Sequence, residues 1–121
     1  MKLALRTDVV DLGASFQQAA FVLDRLVGYS VQYIWSGAAA LNGTLQLQGS
    51  NNAFFDVDNT IPNPNAQWDP VPGSDYLPTG AAGTKIIEYD TAYYRAVRVV
   101  YVRTAGTGSM QILYVGKDRG N

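Results

Sequence analysis

With no His and no Cys among its 121 residues, this chain must draw any acid–base or metal chemistry mainly from carboxylates. Asp56, Asp58 and Asn59, in the stretch FFDVDNT, set oxygen ligands at alternate positions, as calcium loops do. The stretch lacks the glycine turn and bidentate Glu of an EF-hand. Polar loop residues bonding to local backbone are the plainer account, so no metal and no cofactor is expected. Asp69 and Asp75 add ligands only if the loop that carries them folds back. Glu88 and Asp90 form an i, i+2 pair on one strand face, a placement glycoside hydrolysis can use. Nothing else in the chain argues for a cleft of the necessary size. The glycines of GTGS, residues 106–109, do not lead from a strand into a helix, which removes a phosphate-binding reading. No catalytic residue is assigned, and the expectation is that the chain is not an enzyme.

The remaining candidates concern recognition. Two tryptophans and eight tyrosines are many for this length. Trp35 shares a strand face with Val31 and Tyr33, which reads as core. Trp68 stands beside Pro70 in a loop. It is a candidate for a ligand or a neighbouring subunit, with simple loop packing the equal alternative. Tyr76, Phe54, Phe55, Gln46 and Gln48 join it as interface or ligand candidates. Arg95, Arg98 and Arg103 are spaced along one segment. Solvated positions or ion pairs with Asp90 and Glu88 are the expected account of them.

Strands must position these groups. Residues 94–103 are rich in Val, Tyr and Arg, a composition suited to a pleated surface. Val97, Val99 and Tyr101 fall on one face, and Ala96, Arg98, Val100 and Val102 on the other. Apolar groups on both faces predict a central strand covered on both sides, with Arg98 near an edge or interface. TAGTGS, residues 104–109, predicts a reversal into a second strand over 110–116. Tyr29 to Trp35 alternates clearly. After Asn42-Gly43, a strong reversal signal, Thr44 to Gln48 alternates again with Leu45 and Leu47 inward, so a hairpin of 29–36 against 43–49 is expected. Thr7 to Leu12, residues 20–26 and Lys85 to Tyr89 supply further strands. Phe54-Phe55 and residues 68–71 suit short edge segments.

Residues 50–83 hold all five prolines and five of the seven asparagines. Proline removes ladder donors, so a long irregular loop is expected there, of the kind that is functional or ordered by a partner. The tally is seven to eight short strands and no helix. It predicts an all-β fold: one antiparallel β-sandwich domain over residues 1–121, of jelly-roll type, with residues 1–13 either an N-terminal arm or the first strand.

Nearly half the residues are apolar, enough for a core without disulfides. A formal net charge of −1 gives no electrostatic case for nucleic acid or anionic membrane, and no apolar run approaches the roughly 20 residues of a membrane span. The N-terminus MKLALRTDVVDLG has no signal-peptide hydrophobic region, so synthesis in a cytoplasm is expected.

Three segments in order, YSVQYIWSGAAALNGTLQLQGSNN (29–52), the Trp68 loop to Gly83, and YYRAVRVVYVRTAGTGSMQILYVGK (93–117), resemble small β-sandwich proteins of bacterial viruses. In those proteins "VQ..WSG" is followed by "GTL.LQGSN", a loop with a Trp, and "YR.VR..Y....G.G....Y..GK"; here the last Tyr, Tyr114, stands one position later. The chain also looks distantly like discoidin-type, galactose-binding-like jelly rolls. The resemblance implies a virion component: a capsid decoration (cement) protein held by non-covalent contacts to the major capsid protein or other virion proteins, as a homo-oligomer, with a trimer expected. Its alternative is a carbohydrate-binding module on a tail or fibre, with Trp68 and Tyr76 as stacking residues.

Overall fold

The computed structural model describes residues 3–23, 26–51, 66–90 and 94–118. Asp56, Asp58, Asn59, Phe54 and Phe55 lie outside them. Seven strands form and, among the described residues, no helix: β1 (Leu3–Asp11), β2 (Phe16–Gln17), β3 (Phe21–Val22), β4 (Leu26–Ser50), β5 (Asp69–Pro70), β6 (Gly83–Tyr89) and β7 (Ala96–Asp118). Every pairing is antiparallel.

The frame is a two-stranded ribbon. β4 and β7 pair from Leu26↔Asp118 to Ser50↔Ala96. The ribbon bends where the register slips, between Ser36 and Gly43 on one strand and opposite 103–109 on the other. Gly37, Ala40 and Gly106 take positive φ there, at 61°, 50° and 85°. A Cβ on Gly106 would meet the Ala40 carbonyl oxygen at 2.4 Å, so only glycine lets the two strands approach this closely. Bulges of this kind turn a strand while keeping its neighbours paired.

Bending makes two sheets of one ribbon. In the first, β1 joins the C-terminal half of β7, which pairs with the N-terminal half of β4, which pairs with β6. In the second, β2 and β3 join the N-terminal half of β7, which pairs with the C-terminal half of β4 and then β5. The inward residues meet between them. Val31, Tyr33, Ile112 and Tyr114 of the first sheet, and Leu45, Leu47, Val97 and Val99 of the second, are all fully buried. Phe21 stacks on Tyr114 across the gap, with centroids 5.1 Å apart. At about 1.5–3 kcal/mol per buried large apolar side chain, this layer is the main stabilising term of the fold.

The all-β, antiparallel sandwich agrees with the expectation from sequence; its connectivity does not. Neither expected hairpin forms. Residues 29–36 do not pair with 43–49, and 94–103 do not pair with 110–116; each segment runs straight into the next and pairs with the other strand of the ribbon. Glycine and asparagine clusters serve a tight reversal and a bulged bend equally well, and only the long-range partner decides between them. The N-terminal segment is an edge strand rather than a free arm. Within 66–82 the chain is largely irregular, as its prolines dictate, apart from β5 and a bridge of Tyr76 to Leu45.

Candidate functional site

Two outward faces remain once the core is made. On the first sheet, register lines up three rows: Leu5–Val115–Ser30–Glu88, Thr7–Leu113–Gln32–Ile86, and Val9–Gln111–Ile34–Thr84. Among these twelve positions Glu88 is the one charge. Leu5 and Val9 are each 70% exposed and Ile86 49%. A four-stranded footprint of this length covers roughly 400 Å² at ordinary strand spacing, and six of its twelve side chains are apolar. The sequence hid this face because apolar residues occupy both parities of Thr7–Leu12; the alternation shows only once the pairing of β1 with β7 is known.

The second sheet differs. Ala96, Arg98, Val100 and Val102 point outward from β7, opposite Ser50, Gln48, Gln46 and Thr44 of β4. Trp68 closes one end of this face, packing with Ala20, Val22 and Ala66 around the buried Ala96. The strand is therefore covered on both sides here, as its composition predicts. Arg98 lies over the Trp68 ring, Cζ 4.4 Å from the centroid. Its Nε and Nη2 both donate to Gln48 Oε1, at 2.9 and 2.7 Å. Gln48 Nε2 donates to Gln46 Oε1 at 3.3 Å, and Gln46 Nε2 to Asp75 Oδ1 at 3.0 Å. Partial burial lowers the Arg98 pKa from its usual value.

The structure thus brings Trp68, Gln46 and Gln48 together, joined by Arg98 and by Asp75, whose part no local pattern signals. Tyr76 is elsewhere. It is half-buried and stacks on the buried Tyr33, centroids 6.4 Å apart, beside Trp35, so it lines the core instead of offering an open platform. Trp35 is core, as expected. The expected pairing of the arginines with Glu88 and Asp90 does not occur for Arg98: Glu88 faces outward from the first sheet, the opposite side of the sandwich. Arg103 donates through Nε to the Gly106 carbonyl at 2.8 Å and braces the bend. The ion pair among the described residues is Arg6–Asp8, at 2.7 Å.

Glu88 and Asp90 border a shallow hollow of about 280 Å³ with Tyr89 and Lys117. Among the described residues, no group of three or more acids could hold a metal ion.

No protein-family model matches the chain, and no curated protein matches it significantly. The discoidin-like resemblance therefore finds no support from a family. Solved structures do resemble it. The SPBc2 prophage-derived protein YomS aligns with a TM-score of 0.54 and 14% identity, over 95% of this chain and 96% of that one. A structure of infectious bursal disease virus, Gx strain, aligns at a TM-score of 0.42 and 14% identity, over 98% of this chain but only 33% of that one. The first likeness shows a common fold, end to end in both chains.

Proposed function

We propose that this chain is a structural component of a bacteriophage particle, a head decoration protein that docks without chemistry on the capsid. The observation that carries the reading is the outward face of the first sheet, exposing Leu5, Val9 and Ile86 among neighbours of which Glu88 is the one charge. A surface with one carboxylate in twelve positions is poorly solvated by choice of residue and suits a protein neighbour better than bulk water. The fold shared with a prophage-derived protein supports the same setting. Docking in this scheme buries modest surface per copy, multiplied by the symmetry of the assembly. The partners are the major capsid protein and other copies of this chain, with a trimer the expected oligomer, and the working location is the virion.

The test has two parts. Light scattering on the purified protein is expected to give a trimer, and particles assembled without this protein are expected to take it up stoichiometrically. A monomer that binds no such particle overturns the proposal. The tail or fibre alternative requires sugar stacking by Trp68 and Tyr76. Tyr76 is committed to Tyr33 and Trp35, which weakens it; glycan binding abolished by Trp68→Ala would restore it.

A further inference from the structure

Arg98 is held more tightly than a solvent-facing arginine needs to be. Two of its nitrogens converge on one oxygen, Gln48 Oε1. The Trp68 ring supports its plane from one side. The Gln48 amide cannot turn its nitrogen toward the guanidinium without losing Gln46, and Gln46 is tied in turn to Asp75. This relay fixes the oxygen toward Arg98, and no described residue bonds the opposite side of the fork. Nη1 has no acceptor among the described residues, and Nη1 with the second Nη2 proton forms the end-on edge that takes a carboxylate through two parallel hydrogen bonds.

Among the described residues no carboxylate pairs with Arg98 either. Asp75 is occupied with Gln46, Asp69 on β5 makes no bond to Arg98, and the ion pair among the described residues lies at Arg6 and Asp8 on the other sheet. A neutral amide oxygen and a ring quadrupole orient a guanidinium without neutralising it. Partial desolvation, already visible in the lowered Arg98 pKa, makes an incoming anion worth more here than at a fully hydrated arginine. Tryptophan and arginine are moreover the side chains on which protein interfaces most often concentrate their binding energy.

We propose that the end-on edge of Arg98, framed by Trp68 and Gln48, receives an Asp or Glu side chain of the protein on which this chain docks. The inference rests on the docking role proposed above and adds the chemistry of the contact. The first sheet's outward face offers apolar side chains among scattered amides and hydroxyls, whereas a bidentate arginine–carboxylate pair admits one orientation.

The experiment follows the Arg98 Nε–Hε resonance of ¹⁵N-labelled full-length protein during titration with propionate, and separately with the neutral propionamide. A saturable shift with propionate alone is expected, there and at the Trp68 indole N–H; the indole shift is expected to be absent in Arg98→Lys, which keeps the charge and loses the fork. In the particle assay, Arg98→Lys and Arg98→Gln are both expected to weaken binding roughly tenfold or more, with circular dichroism and oligomeric state unchanged. No shift, equal shifts with both probes, or wild-type binding by Arg98→Lys would overturn the proposal. So would glucuronate acting at concentrations tenfold below propionate, which would assign the site to an acidic sugar. Protein that takes propionate but binds no particle keeps the anchor, for an acidic protein of another kind, and sinks the particle reading instead.

Discussion

The two outward faces are made from the same two strands, yet they differ in kind. Where β4 and β7 cross the first sheet they show Ile34, Leu113 and Val115 between Leu5, Val9 and Ile86. A bend later, the same strands show Arg98, Gln48 and Gln46 bonded in series beneath Trp68. Apolar contact is non-directional and scales with area, whereas the polar series fixes donors and acceptors in space. A single ribbon thus presents one surface suited to adhesion and one suited to discrimination, on opposite sides of a shared core.

The largest effect should come from attacking that core, and it tests whether the faces are one cooperative unit. Burial, first, and neighbouring tyrosine hydroxyls, second, push the pKa values of Tyr29 and Tyr33 well above their ordinary value of 10.0. For Tyr114 burial raises the value, the Arg6 charge opposes it and Asp8 adds to it. A phenol that resists ionisation in the folded state ionises more readily once unfolded. The stability it contributes is therefore complete below about pH 10 and lost as pH rises above it. Circular dichroism and the part of the absorbance at 295 nm that comes from these three tyrosines should report unfolding and tyrosinate formation together, above pH 10. Ionisation of Tyr29, Tyr33 and Tyr114 near pH 10 with the fold intact would show that the buried hydroxyls are not where the structure puts them.

Next in size is the bend. Gly106→Val places a side chain where the Ala40 carbonyl stands 2.4 Å from any Cβ, in a backbone conformation with φ of 85°. A cost of about 3 kcal/mol is expected, read as a fall in thermal midpoint of roughly 10 °C. Gly37→Val is the control. Its φ is also positive, at 61°, but a Cβ there meets nothing within 4 Å, so the same strain without the collision should cost clearly less.

The sandwich was legible from sequence because period-two alternation at 29–35, 44–48 and 97–101 survives whatever the strands pair with. Its connectivity was not. TAGTGS and SGAAALNG read as reversals because glycine and asparagine permit positive φ, and permission is all that a local signal conveys. The polar site was half legible. Gln46, Gln48 and Trp68 stood out as outward or loop residues in their own segments, but Arg98 reaches Gln48 only through a register set 50 residues away. Tyr76 misled because its segment, PGSDYLPTG, is rich in proline and glycine, while its neighbours in space are Tyr33 and Trp35.

A smaller effect on stability, with a larger one on association, is expected on the apolar face. The double substitution Leu5→Ser, Val9→Ser removes two side chains that are each 70% exposed, so the thermal midpoint should hold within about 1 kcal/mol equivalent. Oligomerisation measured by sedimentation should weaken roughly tenfold, since apolar area is what that surface offers. Unchanged association would reverse the division of labour and leave the polar face responsible for adhesion as well.

The smallest effect, and the finest discriminator, is Gln46→Ala. Gln46 faces outward and its amide donates to Asp75; deleting it removes solvent-facing hydrogen bonds worth about 1 kcal/mol or less. If the relay only decorates the sheet, nothing further should change. If it orients Arg98, the Gln48 amide gains freedom to rotate, the Arg98 Nε–Hε signal broadens, and the propionate response weakens about threefold relative to wild type. Restoring the acceptor with Gln46→Glu should sharpen the signal again, because a carboxylate accepts from Gln48 Nε2 as the amide oxygen did while losing the bond to Asp75. A variant that recovers the response without that bond would locate the orienting step at Gln46–Gln48, leaving Asp75 to hold the loop.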